Sequence, residues 1–402
     1  MNTFNLPKFA IGVLSFFIAG QFLLFAIPLF VYLEHENMAD LGMLLFIEWT
    51  PALIAFPLAG YWVDRFGAPK IFYIANATRA IACLLAFVIL IARPEFTIMA
   101  VTLLASIASF FLACARVATE TIVKENAPKE HIAKFQSTLQ SAEISSLLLG
   151  PALAGLSVTY FDKEHVLLMA GIAFIVPLIT CYGLTSLRAK QTLSGPVKQM
   201  KDGFSELFSN KPLVALVLQN MTINFLTSVV IGLNVAFVTG ILKLPAEYFG
   251  YLNISGGVVS LVSLAFVPSL LKRMSVTRLG ISGLIGTFLM SLFLATAHAY
   301  IPYLLGFIVM LSAVSFYNVF NRTERIKLID KERFGQVMGA FYVVNIASIP
   351  LSGLFIYYIA NKASFHFILG GTTLFTAIIS ILIMRYYLSS SSPHREEIQA
   401  TQ

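Results

Sequence analysis

Hydrophobic positions in this chain do not alternate with polar ones. They gather into long unbroken runs separated by short polar breaks. A helix needs about 20 apolar residues to cross a bilayer. Twelve runs qualify, at roughly 9–33, 41–63, 71–92, 97–121, 134–160, 165–186, 213–240, 248–271, 278–297, 300–321, 335–360 and 364–387. Lipid offers the backbone no hydrogen-bond partner, so each run is predicted to be a helix that satisfies its own amides. The first run is too long for a signal-peptide core and is followed by no small-residue cleavage site, which predicts a retained first helix.

Most breaks are short. The exception, between spans six and seven, is polar and holds Lys190, Gly195, Pro196, Lys198, Lys201 and Lys211. Within it, 197–208 is predicted to form an amphipathic surface helix. The boundary between two halves is placed here: 1–187 as an N-terminal six-helix bundle, 188–212 as a cytoplasmic linker, 213–388 as a C-terminal six-helix bundle and 389–402 as a cytoplasmic tail.

Composition agrees with the pattern. Of 402 residues, 58% are hydrophobic and 12% charged, against about 25% charged in soluble domains. A net charge of +7 would suggest nucleic acid in a soluble chain. Here the basic residues sit in the breaks and report orientation instead. With the N-terminus taken as cytoplasmic, 21 Lys and Arg fall on that side. Only Arg93, Lys163, Lys243 and Lys362 fall on the other, and Arg79 and Arg116 lie inside spans. Both termini are therefore predicted to be cytoplasmic. Cys83, Cys114 and Cys181 lie within apolar runs and show neither metal-ligand spacing nor a disulfide framework. No His/Cys/Asp cluster, nucleophile triad or phosphate-binding loop appears, so an enzyme, a metal centre and an organic cofactor are not expected.

The two halves look related. The break after span two, Asp64 to Lys70, and the break after span eight, Lys272 to Arg278, share basic residues at equal spacing. The breaks at 128–133 and 330–335 also match. Both similarities fall at the offset of a six-plus-six duplication.

Gly60-Tyr61-Trp62-Val63-Asp64-Arg65-Phe66-Gly67-Ala68-Pro69-Lys70 resembles the signature loop between spans two and three of the major facilitator superfamily. Gly60, Asp64, Arg65 and Gly67 match, while Ala68 and Pro69 replace usual basic residues and leave Lys70. The resemblance implies a latch on the cytoplasmic side, with Asp64 facing the start of span eleven. In span five, Ser137, Ser146 and Gly150-Pro151-Ala152-Leu153-Ala154-Gly155 resemble the antiporter motif of exporters, with serines and an alanine replacing some glycines. Small residues let helices approach closely, and proline kinks a helix. The layout most resembles the branch of macrolide-efflux proteins and enterobactin-type siderophore exporters. The fold implied is all-α: twelve transmembrane helices in two pseudo-symmetric six-helix bundles, acting as a monomer and driven by a proton gradient.

Ionisable groups inside a membrane are costly and are functional candidates. Glu143 lies about nine residues into span five, roughly 14 Å deep, and is the first candidate for proton coupling, with an arginine partnership as its rival reading. Glu48, about seven residues into span two from the outer edge, is the second. Arg79 in span three is predicted to be a structural charge paired within the first half. Arg116 and Glu120, four apart on one helical face, form a candidate gate pair. Gln21, Asn220, Asn224 and Asn345 lie at middle depth, and Glu143 and Asn345 occupy equivalent places in the two halves. Asn318, Asn321 and Arg322 form a polar stripe at the inner end of span ten.

Together these features predict a proton-coupled exporter in a bacterial inner membrane. Substrate is expected near the midplane between rocking halves. Arginines favour an anionic small molecule such as a carboxylate siderophore. Multidrug or macrolide efflux is the close alternative, and a lipid flippase the more distant one. The other partners are protons and the bilayer, with no nucleic acid.

Overall fold

The computed structural model describes residues 6–126, 132–182, 195–329 and 334–400. Thirteen α-helices occur among them: α1 Leu6–His35, α2 Met38–Phe66, α3 Ala68–Ala92, α4 Thr97–Asn126, α5 Ile132–Tyr160, α6 Lys163–Thr180, α7 Pro196–Ser209, α8 Lys211–Val235, α9 Ala246–Leu271, α10 Val276–Leu294, α11 Tyr300–Leu328, α12 Phe334–Ile359 and α13 Phe365–Ala400. Twelve helices are long and apolar enough to cross a membrane, and they fall on the twelve predicted runs. The matched breaks at 128–133 and 330–335 lie largely outside the described residues, as does 188–194 of the predicted linker.

The short connections are built by their residue types. Asn37 caps α2: its Oδ1 accepts from the Ala39 amide at 2.8 Å. Gly67 is at once the C-cap of α2 and the N-cap of α3, with φ 90°, a backbone state that only glycine enters cheaply. Pro69 follows in the first turn of α3, where its missing amide costs nothing.

The predicted surface helix forms as α7, and its Leu207 is fully buried and packs with Leu213, Leu216 and Phe341. Two differences from the sequence reading have physical causes. Span seven does not stay α-helical to its end; Ala236–Ile241 form a π-helical stretch continuing α8. Hydropathy is blind to such a stretch because all six residues fit an apolar run. Finally, α13 runs on to Ala400 rather than ending near 387. The Ser389 and Ser390 hydroxyls donate to the carbonyls of Tyr386 and Tyr387, which suits a polar stretch to helix.

Packing divides the chain into two units. The first comprises Met1–Pro196 and Asn234–Gly257. Within it, α1 packs on α5 and α6, while α2 and α3 pack on α4. Its core runs from Phe9 and Phe16 through Phe72 to Ala115 and Val123. The segment 234–257 joins this unit through particular contacts. Phe249 stacks on Phe25 with ring centroids 4.6 Å apart. A Cβ at Gly155 would lie 3.5 Å from the Gly250 Cα, so the two backbones run in contact. Tyr32 sits directly against Gly240, where a methyl group would overlap the phenol.

The second unit comprises Val197–Leu233 and Val258–Gln402. Here α10 packs closely on α11 and more lightly on α13. Glycines set the approach: a Cβ at Gly283 would stand 2.6 Å from the Ala313 carbonyl oxygen and 2.7 Å from the Tyr317 nitrogen. Backbone atoms cannot move aside as a side-chain tip can. Gly283→Val is therefore expected to force α10 and α11 apart, at a cost of about 1–3 kcal/mol or more. Thermal unfolding in detergent, followed by size-exclusion chromatography, should show a clear loss of folded protein; an unchanged midpoint would refute this account of the helix pair.

Candidate functional site

Polar groups at membrane depth in the first unit fall into three settings. In one, α4 and α5 bring Arg116 and Glu143 together: Arg116 Nη2 donates to Glu143 Oε1, and each side chain is 40% exposed. The guanidinium also lies 5.8 Å from the Phe17 ring centroid. Glu120, one turn along α4, is exposed and close enough to interact with both charges. Glu143 thus has the arginine partner that was its rival reading.

The second setting is Glu48. Its residue is only 4% exposed, although the sequence placed it toward the edge of the span. Two serines of α4 hold the α2 backbone at this point: Ser106 Oγ donates to the Ile47 carbonyl at 3.1 Å, and Ser109 Oγ donates to that of Glu48. No ion pair among the described residues includes the Glu48 carboxyl.

The third is Arg79 on α3, 1% exposed. The predicted pairing within the first half does not occur: no carboxylate among the described residues forms an ion pair with it. Its guanidinium carbon lies 4.0 Å from the Phe174 ring centroid and 5.3 Å from that of Phe16. Nε and Nη1 are buried without a hydrogen-bond partner. Sequence spacing gives the depth of an arginine but not which helix faces it, and here the facing surfaces of α1 and α6 are aromatic. Asn76, one turn away, went unnoticed in the sequence; it is fully buried, and its Oδ1 is likewise unpartnered.

In the second unit, the three candidate asparagines converge. Asn220 and Asn224, one turn apart on α8, both donate to Asn345 Oδ1 on α12, at 2.6 and 2.8 Å. Asn345, matched in sequence to Glu143, is likewise an acceptor. The stripe on α11 is divided. Asn321 is buried and donates to the Leu216 carbonyl at 2.9 Å and the Tyr317 hydroxyl at 3.0 Å, so it ties helices together. Asn318 is half-buried and Arg322 exposed. Gln219, missed in the sequence, donates to Ser380 Oγ at 2.6 Å in full burial; its signal was a third amide beside Asn220 in an apolar run.

The motif residues are also placed. Gly150 packs directly on Gln21, which is half-buried on α1, and a Cβ there would stand 3.1 Å from the Phe22 nitrogen. Pro151 follows inside α5, and Gly155 meets Gly250 as described. Gly60 has open space around it, so no close contact requires glycine there. The Asp64 side chain lies outside what the structure describes. Arg65 Nη1 donates to the Tyr61 hydroxyl at 2.6 Å, and Lys70 is exposed. One group of potential metal ligands, Asp162, Glu164 and His165, gathers at the exposed turn into α6.

Residues 9–323 match the Major Facilitator Superfamily. The chain belongs to this superfamily. The uncharacterized MFS-type transporter YfiS of Bacillus subtilis (strain 168) is 24% identical over 150 residues, which are 37% of this chain and 34% of that protein. The match thus spans about a third of the relative's length. Among solved structures, a mutant of the nucleoside transporter NupG superposes with TM-score 0.76 at 16% identity, covering 96% of this chain and all of the other. A bacterial homologue of the iron transporter ferroportin in an inward-facing state gives 0.73 at 16% identity over 95% and 98%. The D-xylose-proton symporter gives 0.71 at 14% identity over 93% and 96%. At these identities the likeness shows the shared fold. The twelve spans therefore belong to a multi-pass membrane protein of the major facilitator fold, and the family match indicates a transporter.

Arg79 provides a direct test of this facilitator's interior. Desolvating a cation costs several kcal/mol unless a counter-charge compensates, while a cation over an aromatic ring returns about 2 kcal/mol when desolvated. Arg79→Met, similar in length and uncharged, is expected to hold or raise the thermal unfolding midpoint. Arg79→Ala should lower it by leaving a cavity. A fall of several degrees for Arg79→Met would show that the two rings outweigh desolvation.

Proposed function

We propose that this transporter is a proton-coupled exporter of small organic molecules in a bacterial cytoplasmic membrane, with both termini in the cytoplasm. The observation carrying the coupling is the contrast between Glu48 and Glu143. A carboxyl buried without a cation favours its neutral form, and so can take up and release a proton as its surroundings change. Glu48 is such a group, whereas Glu143 is held by Arg116. Glu48 therefore becomes the leading proton carrier, and the Arg116–Glu143 pair with Glu120 becomes the gate cluster.

The export direction rests on α5. Gly150 and Gly155 are both in close contact with neighbouring helices, as the exporter motif requires of its small residues. The orientation rests on the excess of Lys and Arg on the side of the N-terminus. The substrate reading shifts. A carboxylate siderophore would call for an accessible, uncommitted arginine, but Arg116 is engaged by Glu143, with Glu120 beside it, and Arg79 is enclosed by its neighbours. Counted with both carboxylates ionised, that cluster is formally net negative. A neutral or cationic organic substrate suits these groups better, which favours the drug-efflux alternative.

Purified protein in vesicles with an imposed pH gradient tests the coupling. Glu48→Gln imitates the protonated carboxyl and cannot cycle, so gradient-driven accumulation should be lost while substrate exchange without a gradient persists. Glu143→Gln should retain pH-driven accumulation at a lower rate. Full gradient-driven transport by Glu48→Gln would remove Glu48 from the coupling path.

A further inference from the structure

The loop between α2 and α3 carries a second structure besides its motif. A crevice of about 330 Å³ opens beside it, walled by Trp62 and Phe66 at the end of α2, Lys70 at the start of α3, and Phe110, Phe111 and Cys114 on α4. Apart from Lys70, the named walls are aromatic rings and a buried thiol. Trp62 and Phe110 lie 5.9 Å apart, and Phe110 and Phe111 meet edge-on at 5.2 Å. The crevice lies beside the turn that joins two membrane spans on the side of the N-terminus, and reaches along α4 into the span.

Its lip is cationic. Lys70 Nζ lies 5.8 Å from the Phe66 ring centroid, and the Arg65 guanidinium 5.5 Å from the same ring. Phe66 is itself exposed between them. Neither cation forms an ion pair among the described residues. Counting the neighbouring carboxylate of Asp64, the loop is still net positive. An apolar slot with two cations at its mouth matches a molecule with an acyl chain and a negative head.

We propose that this crevice is a binding site for one anionic phospholipid of the leaflet on the side of the N-terminus, with an acyl chain against Trp62, Phe110 and Phe111 and the phosphate at Lys70 and Arg65. A soluble anion has no use for the aromatic slot. A zwitterionic lipid fills the slot but gains less from the two cations. A basic side chain near an anionic surface strengthens association about fivefold. Tryptophan at the end of a span also suits the interface.

The chain has two tryptophans, Trp49 and Trp62, so Trp49→Phe leaves Trp62 as the only one and as a reporter inside the crevice. The full-length variant is placed in phosphatidylcholine vesicles containing a minority of brominated phosphatidylglycerol, or the same fraction of brominated phosphatidylcholine. Bromine on an acyl chain quenches tryptophan on contact. The expected result is stronger quenching by the glycerol lipid. Its preference should fall about fivefold in Lys70→Gln and again by a similar factor when Arg65→Gln is added. Both changes are at exposed positions and leave the helix core intact. Equal quenching by the two lipids would mean a site indifferent to headgroup and would overturn the proposal. So would a preference that survives loss of both cations, or a Trp62 that neither lipid quenches.

Discussion

A bilayer withholds water from the backbone, and the rest of this architecture follows from that. Every amide and carbonyl within the membrane must bond inside the protein, which makes each span a helix. The same withdrawal removes much of the usual reason for helices to associate, since lipid tails are as apolar as leucine. The two units respond with close approach and with buried polar ties. Glycines bring α10 to the backbone of α11 and Gly155 to Gly250. Gln219 to Ser380, and Asn321 to the Leu216 carbonyl, join helices through bonds that lipid cannot replace. Many serine and threonine hydroxyls return to carbonyls of their own helix, among them Thr119, Thr287 and Thr373.

Charge at depth is resolved in three ways within one unit, and the differences separate structure from function. Arg116 and Glu143 neutralise each other yet stay partly exposed, so their pair can open at modest cost. Arg79 is enclosed by rings and has no carboxylate in an ion pair with it among the described residues. Glu48 is enclosed with no cation in an ion pair among the described residues. Of these, only a lone carboxyl can change charge readily by gaining a proton. A guanidinium keeps its proton under almost all conditions. The asparagine trio in the second unit involves no charge at all, so the two units contribute unlike chemistry.

What the sequence made legible is what lipid dictates. The twelve spans and the amphipathic α7 follow from run lengths and from the period of a helix. What stayed hidden is rotation. A span's residues can be counted inward, but the neighbour each one faces depends on how whole helices turn about their axes. Hence Glu143 could be placed at depth while its bond to Arg116, 27 positions away, stood as one of two readings. Arg79 was expected to meet a carboxylate and met Phe174 instead. Glu48 looked marginal by depth, yet the serines of α4 draw its backbone into the interior. The π-helical stretch left no mark, since hydropathy does not register one extra residue in a turn.

That stretch bears on how the protein can evolve. It carries Gly240 against the Tyr32 ring, leaving no room for even a methyl group. Positions 32 and 240 are therefore not free to drift separately. A lineage that enlarges residue 240 must either turn the Tyr32 ring aside or shrink residue 32, so what one position tolerates depends on the other. The pair behaves as a single heritable unit, spread across two spans that the gene encodes some two hundred codons apart.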